Sequence, residues 1–182
     1  MEADERHPEC VKTRRKLGIK IVELNTENAQ VEGSDVLFTG QEIIVGISAH
    51  TNEAGAHAVA PASSLSLVKD AVGVAGINVL AVGESEPAKQ LLKEIGRVAS
   101  HTYKVITLPE DHAANVLYIN HHLLHLSSQM IPKSIGIFEN KINYYRSQVH
   151  IPELYNCGVP LSKLALFAGP FGRQKNIIST IP

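Results

Sequence analysis

Two carboxylates three residues apart are the first feature of this chain that could do chemistry. Glu32 and Asp35 flank a Gly33-Ser34 pair and directly precede an apolar run. Paired acids of this kind can bind a cationic group, or can hold a histidine in the orientation that proton transfer needs. The same two residues also fit a turn at the start of a strand, stabilised by Asx-type hydrogen bonds. The residues alone leave both interpretations open.

Candidate nucleophiles and metal ligands are few. Of the two cysteines, Cys10 lies in a basic segment without a partner, and Cys157 has no histidine close to it in sequence. Two cysteines so far apart do not form a disulfide framework. The cluster of histidines at 121, 122 and 125 could suit a transition metal, since His121 and His125 share one face of a strand. No cysteine or acid stands at ligand spacing, so we predict a solvated strand edge and no metal site.

The elements that must position the two acids follow directly from the pattern around them. Residues 31–55 predict an acidic turn, a strand, a tight turn at Thr39-Gly40, a second apolar strand and the start of a helix. That helix is predicted over 52–60, with Thr51 or Asn52 as its N-cap and Pro61 as its end.

The pattern of strand, strand, helix, strand recurs at least twice along the chain. Strands are predicted at 77–83, 103–108, 115–119 and 122–126, and helices at 84–96 and 132–142. Apolar residues at 88, 91, 92 and 95 form one helical face. A helix over 11–17 and a strand over 19–24 precede the acidic turn. The fold class predicted from this order is α/β with weak internal repetition.

Composition excludes several classes of function. The 182 residues are 44% hydrophobic and 19% charged, with a net charge of -1, so we expect one domain and no partner that is a nucleic acid or a membrane surface. The longest weakly polar run, 71–83, is too short to span a bilayer. The first six residues are charged where a signal peptide is apolar, so a cytoplasmic protein is predicted.

Several ordered blocks resemble the dimethylarginine dimethylaminohydrolase family, part of the pentein superfamily of guanidine-modifying proteins. The blocks are 26–29, 32–40, 45–48, 51–56, 75–83, 108–111 and 113–120. The resemblance implies a five-bladed α/β propeller of ββαβ units. It also implies hydrolysis of methylated arginine to citrulline and an alkylamine, a reaction of arginine and nitric oxide metabolism, with no cofactor. The family uses a cysteine nucleophile, a histidine proton donor and an orienting acid.

Only some of the family's catalytic and binding residues have a counterpart in this sequence. The resemblance gives Glu32 the role of orienting acid and Asp35 a substrate-binding role. The family has an arginine for the substrate carboxylate where this chain has His50, which cannot bind a carboxylate bidentately. Lys163 stands where the family has its nucleophilic cysteine, in Leu161-Ser162-Lys163-Leu164. Cys157 is the one candidate for a substitute nucleophile.

The resemblance also implies segments that this chain lacks. The histidine segment of the family corresponds to residues 64–69, which contain no histidine. About a dozen residues, a helix turn and a strand, are expected to be missing before it. We therefore predict that residues 1–182 form a single partial domain without the family's N-terminal unit. Residues 167–182 are predicted to be a disordered tail.

Two functional hypotheses follow. The first is a hydrolase of N-omega-methylated arginines that works by covalent cysteine catalysis. The second is a catalytically inactive member of the family that serves as a binding or assembly subunit, either with its own copies or with a full-length relative. The replaced nucleophile and the missing histidine favour the second.

Overall fold

Three units of the same topology make up the described part of the chain. The computed structural model describes residues 24–60, 64–66 and 71–165. Each unit has the order strand, strand, helix, strand. The first consists of β1 (Val36–Phe38), β2 (Ile43–Ile47), α1 (Glu53–Val59) and β3 (Ser64–Ser66); the second of β4 (Val72–Gly76), β5 (Val79–Gly83), α2 (Glu86–Val98) and β6 (Lys104–Leu108); the third of β7 (Leu117–Ile119), β8 (His122–Leu126), α3 (Ile135–Lys141) and β9 (Tyr145–Val149). The predicted repetition is confirmed and extends to a third unit.

Each unit forms its own three-stranded sheet with the same strand directions. The first two strands pair antiparallel and the third lies parallel to the second, as in the register Val82↔Thr107 between β5 and β6. A parallel third strand needs a crossover connection, and in each unit the helix supplies it. The α/β class is therefore confirmed. The arrangement of the units as blades of a propeller stays a prediction.

The hairpin around the two acids forms as the sequence predicts. β1 and β2 pair antiparallel, and the turn between them has Gly40 at φ +89°, a conformation that glycine adopts without strain. Asn52 is the N-cap of α1, because its side chain accepts a hydrogen bond from the backbone N–H of Gly55 at 2.8 Å. Of the two predicted caps, Asn52 is thus the one that contacts the helix.

The first unit has a third strand although about a dozen residues are predicted to be missing before residues 64–69, and that loss stays a prediction. Residues Ser64–Ser66, which the motif comparison assigns to the histidine segment, instead form β3 beside β2. The first unit therefore has all four of its elements. It is completed with a seven-residue helix and a three-residue strand, so a shorter sequence is accommodated by shorter elements.

The hydrophobic core follows the repeated units. On α2, Ala88, Leu91 and Ile95 are buried as the helical stripe predicts, and they pack with Leu80 and Val82 of β5. A larger cluster joins the second and third units and is centred on residues that include Leu108, Leu123, Leu126, Ile131 and Phe138. The strands β4 and β9 and the short helix α4 (Pro152–Asn156) are elements that the sequence pattern did not predict.

Two 3₁₀ turns precede first strands, and a third ends the described chain. They are η1 (Gly33–Asp35) before β1, η2 (Asp111–Ala114) before β7 and η3 (Leu161–Leu164). They matter for function because each carries or adjoins a residue of the candidate site.

Several sequence predictions lie outside the described residues. They are the helix over 11–17, the strand over 19–23, Cys10 and the tail over 167–182. The described residues 24–165, with their gaps, belong to one compact unit. Within them, no helix has the length and apolar character that crossing a bilayer requires.

Candidate functional site

Glu32 lies half-buried at the start of η1, where its backbone and its side chain are both fixed. Its N–H donates to Thr51 Oγ1 at 2.9 Å, across 19 residues of sequence. Its Oε1 accepts a hydrogen bond from Ser34 Oγ at 3.3 Å. The carboxylate therefore sits on a turn that is tied to the loop between β2 and α1.

Asp35 is fully buried, at 0% exposure, directly behind that turn. Its Oδ2 accepts hydrogen bonds from Ser48 Oγ and from Thr51 Oγ1, both at 2.6 Å. Its Oδ1 has no hydrogen-bond partner among the described residues. Asp35 has no exposed surface in this structure, and the substrate-binding role that the resemblance implies for it stays a prediction. Its burial agrees with the alternative of an acid that organises a turn.

His50 lies on the exposed loop between β2 and α1. Its backbone N–H donates to Ser48 Oγ at 3.0 Å, and Ser48 in turn donates to Asp35. The structure thus links Glu32, Asp35 and His50 in one hydrogen-bonded group. The hydroxyls of Ser48 and Thr51, which sequence reasoning missed as site residues, make the links.

Lys163 is exposed on η3, at the motif position of the family's nucleophile. The residue before it, Ser162, is held by Asn115: Ser162 N–H donates to Asn115 Oδ1 at 2.9 Å, and Asn115 Nδ2 donates to Ser162 Oγ at 3.1 Å. The orientation of the Asn115 amide follows from these two partners. The turn that presents Lys163 is therefore anchored to the third unit.

Asn115 and Asp35 occupy related places in their units. Asp35 precedes Val36-Leu37-Phe38 and Asn115 precedes Val116-Leu117-Tyr118; both are buried, Asp35 as the last residue of η1 and Asn115 directly after η2. The internal repeat is the sequence signal that could have identified Asn115, because each short motif leads into the first strand of its unit.

Cys157 lies exposed at the C-terminal end of α4 with a free thiol. Among the described residues, its thiol makes no hydrogen bond in the structure. No hydrogen bond among the described residues connects it to the group around Glu32.

The histidine cluster is not the solvated strand edge that the sequence predicts. His125 is 1% exposed and stacks on Phe138, with ring centroids 5.0 Å apart, while His121 lies in the exposed turn between β7 and β8. Burial lowers the pKa of His125, and the repulsion of Arg146 adds to this. No group of three or more histidines, cysteines and acids among the described residues could hold a metal ion.

A second polar group joins the first unit to the second, beside the hairpin. The hydroxyl of Tyr103 donates to Glu42 Oε1 at 2.5 Å and lies 3.0 Å from Thr39 Oγ1. Burial and the bond to Glu42 raise the pKa of Tyr103 to about 12. Burial also raises the pKa of Glu42, but hydrogen bonds from Tyr103 and the N–H of Ser100 outweigh it, so the net shift is downward. The contact therefore connects the turn between β1 and β2 to the segment before β6.

Two solved dimethylarginine dimethylaminohydrolases share the fold of this chain. A dimethylarginine dimethylaminohydrolase adduct with 4-chloro-2-hydroxymethylpyridine gives a TM-score of 0.58 at 19% identity, over 85% of this chain and 64% of that chain. A Pseudomonas aeruginosa dimethylarginine dimethylaminohydrolase, a cysteine-to-serine mutant in complex with citrulline, gives 0.60 at 18% identity, over 85% and 63%. Over the matched residues, the chain shares the α/β fold of these proteins.

Sequence comparison narrows the class to a family. The chain is 33% identical over 173 residues to the Bos taurus protein named Putative hydrolase DDAH2, and 32% identical to the Homo sapiens protein of that name. The match covers 85% of this chain, which spans 61% of the length of each relative. No protein-family model matches the chain. The chain is a dimethylarginine dimethylaminohydrolase-like member of the pentein family, as its motifs predicted.

Proposed function

We propose that this chain is a noncatalytic dimethylarginine dimethylaminohydrolase-like protein that acts by binding or assembly. The observation that carries the proposal is Lys163, which stands at the motif position of the attacking cysteine on an exposed turn anchored through Ser162. A protonated lysine has no lone pair with which to attack the guanidinium carbon, and its charge repels that cation.

The other parts of the reaction support the same proposal. The segment at the motif position of the catalytic histidine contains none, so a proton donor for the leaving amine is missing there. Asp35 is buried beneath the turn and offers a cationic substrate no surface. The parts of a catalytic constellation act as a unit, so the remaining acid, Glu32, does not restore turnover by itself.

The ligand and partner classes follow from the relatives and from charge. A neighbour in fold binds citrulline, so methylated arginine or citrulline is the ligand class for any retained binding. The protein partner is a second copy of this chain or a full-length relative. The net charge of -1 gives no field that would attract nucleic acid or an anionic membrane. We expect the protein to act in the cytoplasm.

The direct test is release of citrulline from asymmetric dimethylarginine by the purified protein. We expect no release above a blank without protein, while a full-length active dimethylargininase gives a positive signal in the same buffer. Lys163→Cys should also be inactive, because restoring the sulfur does not restore the proton donor. Turnover by the unmodified chain would refute the proposal.

Hydrolysis through Cys157 is the second candidate, favoured by its exposed free thiol. Cys157→Ser distinguishes it, since any activity that depends on this thiol disappears in that variant. Assembly is tested separately by light scattering of the protein alone and mixed with a full-length relative. If the measured mass is that of a monomer both alone and in the mixture, assembly is excluded. Ligand binding is then the noncatalytic role that remains.

A further inference from the structure

Two hydroxyl groups connect the buried carboxylate of Asp35 to the backbone of Glu32 and of His50. Thr51 Oγ1 lies 2.6 Å from Asp35 Oδ2 and accepts the N–H of Glu32 at 2.9 Å. Ser48 Oγ lies 2.6 Å from the same oxygen and accepts the N–H of His50 at 3.0 Å. The two connections have the same chemistry and meet at a single atom.

The direction of each connection is fixed by what a hydroxyl can donate. A serine or threonine hydroxyl has one hydrogen and two lone pairs. An N–H can only donate, so each hydroxyl uses a lone pair for the backbone and its hydrogen for the carboxylate. Hydrogen bonds to a carboxylate oxygen are short and strong, which agrees with the two distances of 2.6 Å. Asp35 therefore holds both hydroxyls in the orientation that binds the backbone.

We propose that Asp35 is the positioning residue of the candidate site: through Thr51 and Ser48 it fixes the backbone from which Glu32 and His50 project. The inference rests on the candidate site and not on any hydrolysis there. It replaces the substrate-binding role that the resemblance implied for this acid.

Packing alone does not explain this acid. A buried polar group costs free energy unless it is hydrogen-bonded, and an apolar residue at position 35 would fill the same space without that cost. With an apolar residue there, the hydrogens of Ser48 and Thr51 would lose their acceptor, and Thr51 is itself 1% exposed. Ser48 and Thr51 therefore need the acceptor at position 35. The three side chains together hold the backbone N–H groups of Glu32 and His50.

Residue-resolved amide hydrogen exchange tests the proposal, because each connection can be removed separately. Thr51→Val removes the acceptor for Glu32, and we expect the exchange rate of the Glu32 amide to rise about fivefold while that of His50 stays within about twofold. Ser48→Ala should have the opposite selectivity. Thr51→Ser and Ser48→Thr keep the hydroxyls and should restore slow exchange.

Asp35→Asn should raise the exchange rate of both amides, because an amide oxygen is a weaker acceptor than a carboxylate. If this variant does not fold, the two hydroxyl variants still decide the question. The proposal is overturned if Thr51→Val and Ser48→Ala accelerate both amides equally, or accelerate them no more than the amides of β2. It is also overturned if a folded Asp35→Asn leaves both rates unchanged. None of these readouts depends on citrulline release.

Discussion

Acidification should destabilise the third unit through His125. Its Nδ1 lies 2.8 Å from the carbonyl oxygen of Leu126, and because a carbonyl only accepts, Nδ1 carries the proton. Its Nε2 is buried without a hydrogen-bond partner among the described residues, and the ring stacks on Phe138. Protonation would place a charge and an unpaired N–H in the core, which is costly.

The sign and size of the effect follow from the lowered pKa. Burial lowers the pKa of His125 from its ordinary 6.5, and Arg146 adds to this, while the Leu126 carbonyl and Glu139 oppose it in part. The stability that depends on a neutral ring is therefore fully present above about pH 6.5 and is lost as the pH falls towards the folded-state value. The slope in that interval is at most about 1.4 kcal/mol per pH unit, so a drop to pH 5.5 costs up to about 1 kcal/mol.

Urea unfolding at pH 7.5, 6.5 and 5.5 measures this cost. His125→Phe keeps an aromatic ring against Phe138 and has no titrating nitrogen, so over the interval it should lose less stability than the unmodified protein, by up to about 1 kcal/mol. His57→Gln, on the exposed face of α1, is the matched control and should follow the unmodified protein. Equal pH dependence of all three proteins, or an NMR titration in which folded His125 protonates at its ordinary pH, would refute the reasoning.

Two further predictions concern stability and use the same urea assay. Gly73→Ala places a Cβ 2.1 Å from the backbone carbonyl oxygen of Ala114 and should lower the free energy of unfolding by about 1–3 kcal/mol. Gly96→Ala, on α2 with nothing within 4 Å, should raise it by up to about 1 kcal/mol, and the reverse order would contradict the packing of β4 against η2. Asn52→Ala removes the cap that accepts from Gly55 and should cost about 1 kcal/mol. Asn52→Asp keeps the oxygen that accepts from Gly55 and Gln30 and should retain most of that stability, and a loss as large as that of the alanine variant would argue against the cap.

The sequence predicts those parts of the fold in which a local pattern and burial agree. The hairpin of β1 and β2, the apolar face of α2 and the strand β8 each follow from periodicity and turn residues. β4 was not predicted because three of its five residues are small, in Val-Gly-Val-Ala-Gly. β9 was not predicted because its central residues, Arg-Ser-Gln, are polar, and only pairing with β8 defines it as a strand.

The candidate site was predictable in residue type but not in environment. The motif places an acid at position 35, and it cannot show that the carboxylate is 0% exposed, because burial depends on hydroxyls 13 and 16 residues further along the chain. His125 illustrates the same difficulty. Its neighbours in sequence suggest an exposed cluster, and the side chain that buries it, Phe138, comes from the helix of the unit.

The difference between Asp35 and Asn115 follows from what their neighbours offer. Around Asp35 both neighbours donate hydroxyl hydrogens to one oxygen, Oδ2, so the side chain at this position serves as an acceptor. Asn115 faces the N–H of Ser162, which donates, and the hydroxyl of the same residue, which accepts, so a side chain with both functions is required. Asp35 and Asn115 therefore have the same role: each anchors a loop of the candidate site by hydrogen bonds. The two hydroxyl partners therefore account for an acceptor at position 35, and an acid there does not by itself indicate recognition of a cationic substrate.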